Sequence, residues 1–396
     1  MIRVVYWNNI PAPYMVDRFN AVATRRNLGF EAWFSARTER DRSWDVDERS
    51  WLFAHRYLPA FDRGMSALAL PTPLLREKAP DVLVSLYAGA DFLAGSALAQ
   101  QRGARTAFWV EVTFDAWVRR RRWKEAVKSI ALPRADAILT AGRDGRAFAV
   151  RYGARDERIH HVPHVIDFDH FARGARLSEP EREKLRGELG VRGVTFGYVG
   201  RLWTGKGLTH LLDAFGELEQ GDVGEVSLLL VGDGMDEDLL RRRVREKRLQ
   251  NVVFCGFQPD DVLPQLYAAC DVFVFPTLGD PFGMVVLEAF ACGLPVIATT
   301  ASGEIRDRVV DGGNGFLVPP ADTGQLLDRM TLLARDAELR RRLGNAAVAK
   351  VAGQSPEVWA EAFEHAVEKI VSMPPVQSRR SKLLVRSRMA ADGRTR

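Results

Sequence analysis

The sequence predicts an α/β protein made of two doubly wound domains that face each other across a cleft. Three observations carry this expectation. The chain has 396 residues, 46% apolar and 27% charged, which suits a globular protein too long for one small core. Short apolar runs alternate with amphipathic helical patterns, as parallel strands buried on both faces alternate with their crossover helices. These runs also fall into two series, separated by a polar, helix-capable stretch at about 167–192.

The first series of candidate strands is 2–7, 30–34, 82–85, 106–111, 137–140 and 159–162. The second is 195–199, 226–231, 252–255, 272–275, 295–298 and 315–318. The expected first domain covers residues 1–175 and the second 190–350, with a linker near 170–190. Ser355 followed by Pro356 marks a helix start. That helix, at about 355–373, follows the last strand and is expected to pack back onto the first domain. The remaining residues, 376–396, form a basic tail. From Arg379 to Arg396 it holds seven basic residues against one acid, so it carries +6 of the net +5 and the rest of the chain −1. With few aromatics, the tail is expected to be disordered.

Other classes are excluded early. No run of about 18 apolar residues suggests a membrane span. The opening MIRVVYWNNIP reads as a first strand, not a signal peptide. Cys255, Cys270 and Cys292 share no metal-ligand spacing and read as reduced thiols of a cytoplasmic protein. The near-neutral body lacks any nucleic-acid-binding motif.

In open α/β sheets, ligands bind beyond the carboxyl ends of the strands, and four stretches there stand out. In FGYVGRLWTGKGLTHLLDAF, a strand ends at Gly200, and Arg201 and Lys206 precede a helix. Two cations beside a helix N-terminus suit a diphosphate. The spacing of Gly197, Gly200, Gly205 and Gly207 does not make a dinucleotide fingerprint, and a solvated loop is the competing reading. In LLLVGDGMDEDLL, Gly232 and Gly234 allow a close backbone approach and Asp233 can cap the next helix, as ligand loop or structural turn. Phe257, after Gly256, is either a platform for a base or a core residue.

The fourth stretch is LGDPFGMVVLEAFACGLPVIAT. Pro281 fits a first helical position, leaving free N–H groups at the start of the helix. Eight residues along that helix would put Asp280 and Glu288 about 80° apart, near one face. Among apolar neighbours Glu288 needs a partner, either a ribose diol or a nearby Lys or Arg.

In this order the four stretches resemble the retaining, nucleotide-sugar-dependent glycosyltransferases of the GT-B fold, with two Rossmann-like domains. The resemblance is to the large, bacterial family 4 (glycosyl transferases group 1), with its mannosyl-, glucosyl- and lipopolysaccharide-core transferases. The motifs are G-R-x4-K-G, V-G-D-G, acid-P-F-G-x4-E-A-x-A-x-G-x-P-V-I-A-T and G-x-x-G-F-L-V, spanning about residues 196–320. The resemblance implies a nucleoside diphosphate sugar donor, UDP- or GDP-linked, held without a cofactor or metal. It implies that Arg201 and Lys206 hold the diphosphate and that Glu288 holds the ribose. Asp280 would hold hydroxyls of the donor sugar, beside the N–H groups of Phe282, Gly283, Met284 and Val285. Gly200, Gly232, Gly234 and Phe257 would complete the donor site. Retention is implied to proceed by front-face attack, with the leaving phosphate deprotonating the acceptor.

Two departures stand out. The family usually has Glu where this chain has Asp280. Where many members place a His after a first-domain strand, this chain has Glu111, expected at the cleft against donor sugar or acceptor. The loop NNIPAPYMVDRF after the first strand lacks the family's usual Gly pair and reads as acceptor-side. Four arginines, Arg119 to Arg122, lie between Trp117 and Trp123. With the tail they suit an anionic membrane surface, or serve only as a solvated helix and tail. The expected function is hexosyl transfer to a lipid-linked, lipopolysaccharide or polysaccharide acceptor, at the inner face of the plasma membrane. A nucleotide-sugar 2-epimerase of the same fold and a non-catalytic sugar-nucleotide-binding protein are the rival readings.

Overall fold

The computed structural model describes residues 1–38, 47–62, 67–87, 89–110 and 122–376. Glu111, residues 117–121 of the basic segment and the tail from 377 lie outside them.

The strands of the first half are β1 (Ile2–Asn8), β2 (Leu28–Phe34), β3 (Ala54–Tyr57), β4 (Ala60–Asp62), β5 (Ala67–Ala69), β6 (Val82–Leu86), β7 (Arg105–Val110), β8 (Ala137–Thr140) and β9 (Ile159–His161). Seven form one parallel sheet in the order β3-β2-β1-β6-β7-β8-β9, while β4 and β5 pair antiparallel apart from it. The second half contributes β10 (Val194–Val199), β11 (Val226–Val231), β12 (Val252–Gly256), β13 (Val272–Phe275), β14 (Val296–Thr299) and β15 (Gly315–Val318). They form a second parallel sheet, β12-β11-β10-β13-β14-β15. In each sheet the winding reverses, at β1/β6 and at β10/β13, and a crevice for ligands opens beyond such a switch point. The chain is thus built on two doubly wound α/β sheets, as expected.

Every candidate strand is present, with ends shifted by at most two residues. The edge strand β3, Ala-His-Arg-Tyr, escaped the sequence reading because it is nowhere buried and so has no apolar run to betray it. The stretch expected to be a linker, 170–190, is instead two helices packed on the second domain. Phe171 sits in that domain's core, and Arg182 and Arg186 reach the carbonyls of Ala268 and Ala269 and the Asp271 carboxylate. The chain crosses between the sheets earlier, around His164–Val165.

The second crossing runs through 352–355. The helix Pro356–Ser372 that follows is capped by the Ser355 hydroxyl on the Val358 N–H. Its Trp359 and Phe363 stack at 4.9 Å and lie in the first domain's core with Tyr6 and Phe19. Burying each such ring contributes about 1.5–3 kcal/mol, which holds this last helix on the first sheet. Among the described residues no helix is long and apolar enough to cross a membrane.

Candidate donor site

The loop after β10 owes its shape to glycines. Gly200 and Gly232 have φ of 144° and 128°, a region that favours residues without Cβ. A Cβ on Gly232 would overlap the Gly200 carbonyl, and one on Gly234 the Leu202 backbone. The two loops interlock through Leu202 N–H to Asp233 O (2.6 Å) and Asp236 N–H to Leu202 O (3.1 Å). These glycines therefore serve loop-on-loop packing. Asp236, not Asp233, precedes the next helix, and its carboxylate accepts from the Thr204 N–H (2.6 Å). Arg201 is half-buried at this turn, its carbonyl accepting from the Tyr198 hydroxyl (2.9 Å).

Lys206 and Asp280 form an ion pair with side chains only 14% and 13% exposed. Asp280 Oδ1 also accepts from the N–H groups of Phe282 (2.8 Å) and Gly283 (2.7 Å). Burial pushes the Asp280 carboxyl up, but Lys206 and these two N–H groups outweigh it and hold it below its ordinary range. The two carboxylate oxygens offer about four acceptor positions, so one remains for a further donor.

This geometry corrects two expectations. The helix runs Met284–Ala291, with Gly283 (φ 57°) at its cap, not from Pro281. Asp280 is therefore not on a shared helical face with Glu288 but caps the turn before the helix. The N–H groups of Phe282 and Gly283 are taken by that cap, leaving those of Met284 and Val285 at the helix start. Glu288, fifth in the helix and half-buried, has neither Lys nor Arg as its hydrogen-bond partner. Its Oε2 accepts from the Tyr267 hydroxyl at 2.8 Å. Burial pushes its carboxyl up to about 7; the Tyr267 hydrogen bond opposes this and Asp260 adds to it.

Phe257 is 44% exposed just past the end of β12, so it is not a core residue. The backbone beside it, Gly256 O, accepts from Gly232 N–H (2.8 Å). The structure thus brings Lys206, Asp280, Phe282 and Gly283 into direct contact, and joins Gly200, Gly232, Gly234 and Gly256 through one set of loops. Tyr267 and Arg308 were not singled out in the sequence. Arg308 is 6% exposed, and one of its nitrogens donates to the carbonyls of Phe282 and of Gly283 (3.0 Å). Burial lowers its guanidinium to about 10. An Arg in ordinary helical surroundings gives no sequence signal of such a role.

A cavity of about 490 Å³ opens between the domains beside this loop. It shares Arg308 and His164 with the loop's surroundings but not Lys206, Asp280 or Glu288.

Residues 181–350 match the family described as glycosyl transferases group 1. The chain is 30% identical to a D-inositol 3-phosphate glycosyltransferase of Nocardia farcinica, over 64% of this chain and 62% of the relative. It is 32% identical to a mannosylfructose-phosphate synthase of Agrobacterium fabrum, over 44% and 39%. It thus spans less than two thirds of the length of these curated relatives. Among solved structures, Anabaena HepE in complex with UDP superposes with a TM-score of 0.76 at 20% identity, over 94% of this chain and all of that one. Sucrose-phosphate synthase from Thermosynechococcus elongatus gives 0.75 at 20%, over 93% and 99%. Residues 181–350 of this chain are thus similar to the glycosyl transferases group 1 family, within a chain of GT-B fold.

Proposed function

We propose that the chain is a retaining glycosyltransferase that moves a hexose from a nucleoside diphosphate sugar to a lipid-linked, lipopolysaccharide or polysaccharide acceptor. One observation carries this reading. A lysine–carboxylate pair lies at the start of a helix whose fifth residue is a second carboxylate with a single hydroxyl partner. The diphosphate lies against Arg201 and Lys206, whose charges offset the leaving group in place of a metal. Glu288 accepts from the ribose diol and Phe257 faces the base. As Lys206 turns to phosphate, Asp280 Oδ2 becomes available to a sugar hydroxyl while Oδ1 keeps the loop closed. The bond from the anomeric carbon to the phosphate oxygen breaks with its electron pair on the phosphate. The acceptor oxygen attacks from the same face, and its proton passes to the departing phosphate. Glu111, outside the described residues, is the residue proposed to contact donor sugar or acceptor. UDP is the favoured nucleotide, since HepE was solved with UDP.

The test is turnover of UDP- and GDP-sugars, screened first by thermal stabilisation. A donor at 100 times its Kd raises stability by about 2.7 kcal/mol. Lys206→Ala is expected to lower kcat by roughly 100- to 1,000-fold, and excess EDTA to leave turnover unchanged. Donor conversion to an epimer without acceptor would support the epimerase instead. Binding without any turnover would support a non-catalytic role. The basic segment around Arg119 and the tail would bring the enzyme to an anionic membrane face. Failure of both full-length and tail-deleted protein to float with anionic vesicles would remove that part of the proposal.

A further inference from the structure

The donor loop is gripped from both domains. From the second, Asp280 takes the Phe282 and Gly283 N–H groups and Arg308 donates to their carbonyls. From the first comes a buried pair that the reaction so far leaves unused. Arg18, on the helix Pro13–Ala23, is 1% exposed. Its Nη2 donates to the Val165 carbonyl (2.7 Å) and lies 3.9 Å from the Met284 sulfur. Its Nη1 faces His164 Nδ1 at 3.4 Å and the Met15 sulfur at 3.6 Å. The guanidinium also lies over the Tyr14 and Trp359 rings, 5.3 and 5.9 Å from their centroids. The His164 ring meets Phe282 edge to face at 4.3 Å and Trp109 at 5.5 Å.

Burial, then the nearby Arg18 and Arg308 cations, lower the His164 pKa well below its ordinary value. A neutral ring whose Nδ1 accepts from Arg18 carries its hydrogen on Nε2. The ring is then fixed in orientation by the guanidinium on one side and Trp109 on another, and it presents a rigid edge to Phe282. Phe282 cannot shift without carrying its N–H away from Asp280, because only one residue lies between them. A 1 Å displacement of a group at a reacting centre costs on the order of 100-fold in rate.

We propose that Arg18 and His164 are positioning residues: packed on Phe282 and Met284, they hold the Asp280 carboxylate in register, so the sugar end of the donor site is complete only when the two domains touch. This rests on the glycosyltransferase reading for its catalytic consequence but not for its structural one. Glu288 and Arg201, the ribose and diphosphate groups, are not among the contacts of this pair, and Lys206 meets it only through Asp280. Loss of the pair therefore separates sugar handling from nucleotide binding.

The experiment compares the full chain with His164→Ala, Phe282→Leu, the double variant and Arg18→Lys. Hydrogen exchange reports on residues 279–285, with 200–206 as the internal control. Calorimetry with UDP and turnover of UDP-glucose complete the set. The expected result is exchange at least tenfold faster across 279–285 in His164→Ala and Arg18→Lys, with 200–206 unchanged. UDP affinity stays within twofold, and kcat falls at least tenfold. The double variant is no worse than its worse single, since both break one contact. Unchanged exchange across 279–285 would overturn the proposal whatever the activity. So would an equal loss of UDP affinity and turnover with additive effects, which marks a general packing role. If the unaltered protein neither binds UDP nor turns over any sugar nucleotide, the glycosyltransferase reading fails, and the exchange result still decides whether the pair positions the loop.

Discussion

At the residue scale, the short acid at position 280 has a structural explanation. A carboxylate capping the N–H groups two and three residues ahead suits Asp, whose side chain reaches its own following turn. Asp280 does this with Oδ1 while Oδ2 meets Lys206. Glu carries the carboxylate one methylene too far for both. Asp280→Glu is expected to lower kcat about tenfold and stability by about 1 kcal/mol, the usual value of a lost cap; unchanged kinetics and melting would show the cap to be incidental. Asp280→Asn keeps a capping oxygen but strips Lys206 of its charge partner in a site that excludes most water, and breaking such a pair costs about 3–5 kcal/mol. Glu288 carries a pH dependence of its own. With its carboxyl at about 7, it is mostly protonated at pH 6 and mostly ionised at pH 8. A ribose diol donates best to the ionised form. UDP-glucose, whose diphosphate does not titrate in that window, should bind about tenfold tighter at pH 8 than at pH 6. Glu288→Gln should bind it weakly and without pH dependence, and calorimetry at the two pH values distinguishes these outcomes.

At the element scale, the strands of the second sheet were legible because most are short, largely apolar runs; Val226–Val231, interrupted only by Ser227, is buried along its whole length. The edge strand β3 was not legible, since half-exposed Ala-His-Arg-Tyr obeys no such pattern. The donor-loop helix was placed three residues early. Proline at 281 is a fair start signal, but the Asp280 cap bends residues 281–283 into a turn and only Gly283, at φ 57°, lets the helix begin after it. The pair of loop glycines was legible as close approach, though not what it approaches. Gly232→Ala tests this directly. The left-handed φ and the overlap with Gly200 O together are expected to destabilise the second domain by about 2–4 kcal/mol. Arg201 moves with that loop, so diphosphate affinity should fall with stability. Gly224, also at positive φ (77°) but with open space around it, should tolerate Ala with about 1 kcal/mol and no effect on binding.

At the scale of the whole molecule, what the sequence could not show is what crosses between the domains. Arg201, Lys206 and Glu288 announce themselves by motif, whereas His164 and Glu304 act through partners more than a hundred residues away, across the cleft. Glu304 is the sharpest case. It is buried at 5% exposure and held at φ 59°, an uncommon conformation for a residue with a side chain. From there its carboxylate accepts from the N–H groups of Gly145 (2.9 Å) and Asp144 (3.4 Å), at the start of the first-domain helix Arg143–Arg151. Asp307 beside it accepts from the Arg143 N–H (3.0 Å) and pairs with the Arg143 guanidinium. Two carboxylates of one domain thus cap a helix of the other, and a Cβ on Gly142 would overlap Glu304. Burial pushes the Glu304 carboxyl up to about 7, helped by Asp144 and Asp307 and opposed by the Gly145 N–H. Burial likewise pushes Asp307 up, but Arg143 outweighs it and the carboxyl stays below its ordinary range. Of the two, Glu304 is therefore the one that gains a proton as pH falls toward and below 7. Its folded pKa lies above the ordinary value of 4.5, so between about pH 4.5 and 7 the folded state binds more protons than the unfolded one. The contribution of this group is full at the acid end of that window and is lost as pH rises through 7, with a slope of at most about 1.4 kcal/mol per pH unit. Glu288 titrates in the same range, so the measurement is the difference between the unaltered protein and Glu304→Gln, which keeps an acceptor oxygen for Gly145 but no charge. Melting followed from pH 5 to 8 should give a pH slope in the unaltered protein that is shallower in Glu304→Gln. Gly142→Ala should separate the domains at every pH, seen as a larger radius of gyration by small-angle scattering. Equal slopes in the two proteins would remove Glu304 as the titrating group, and an unchanged radius in Gly142→Ala would remove the cap as an interdomain tie.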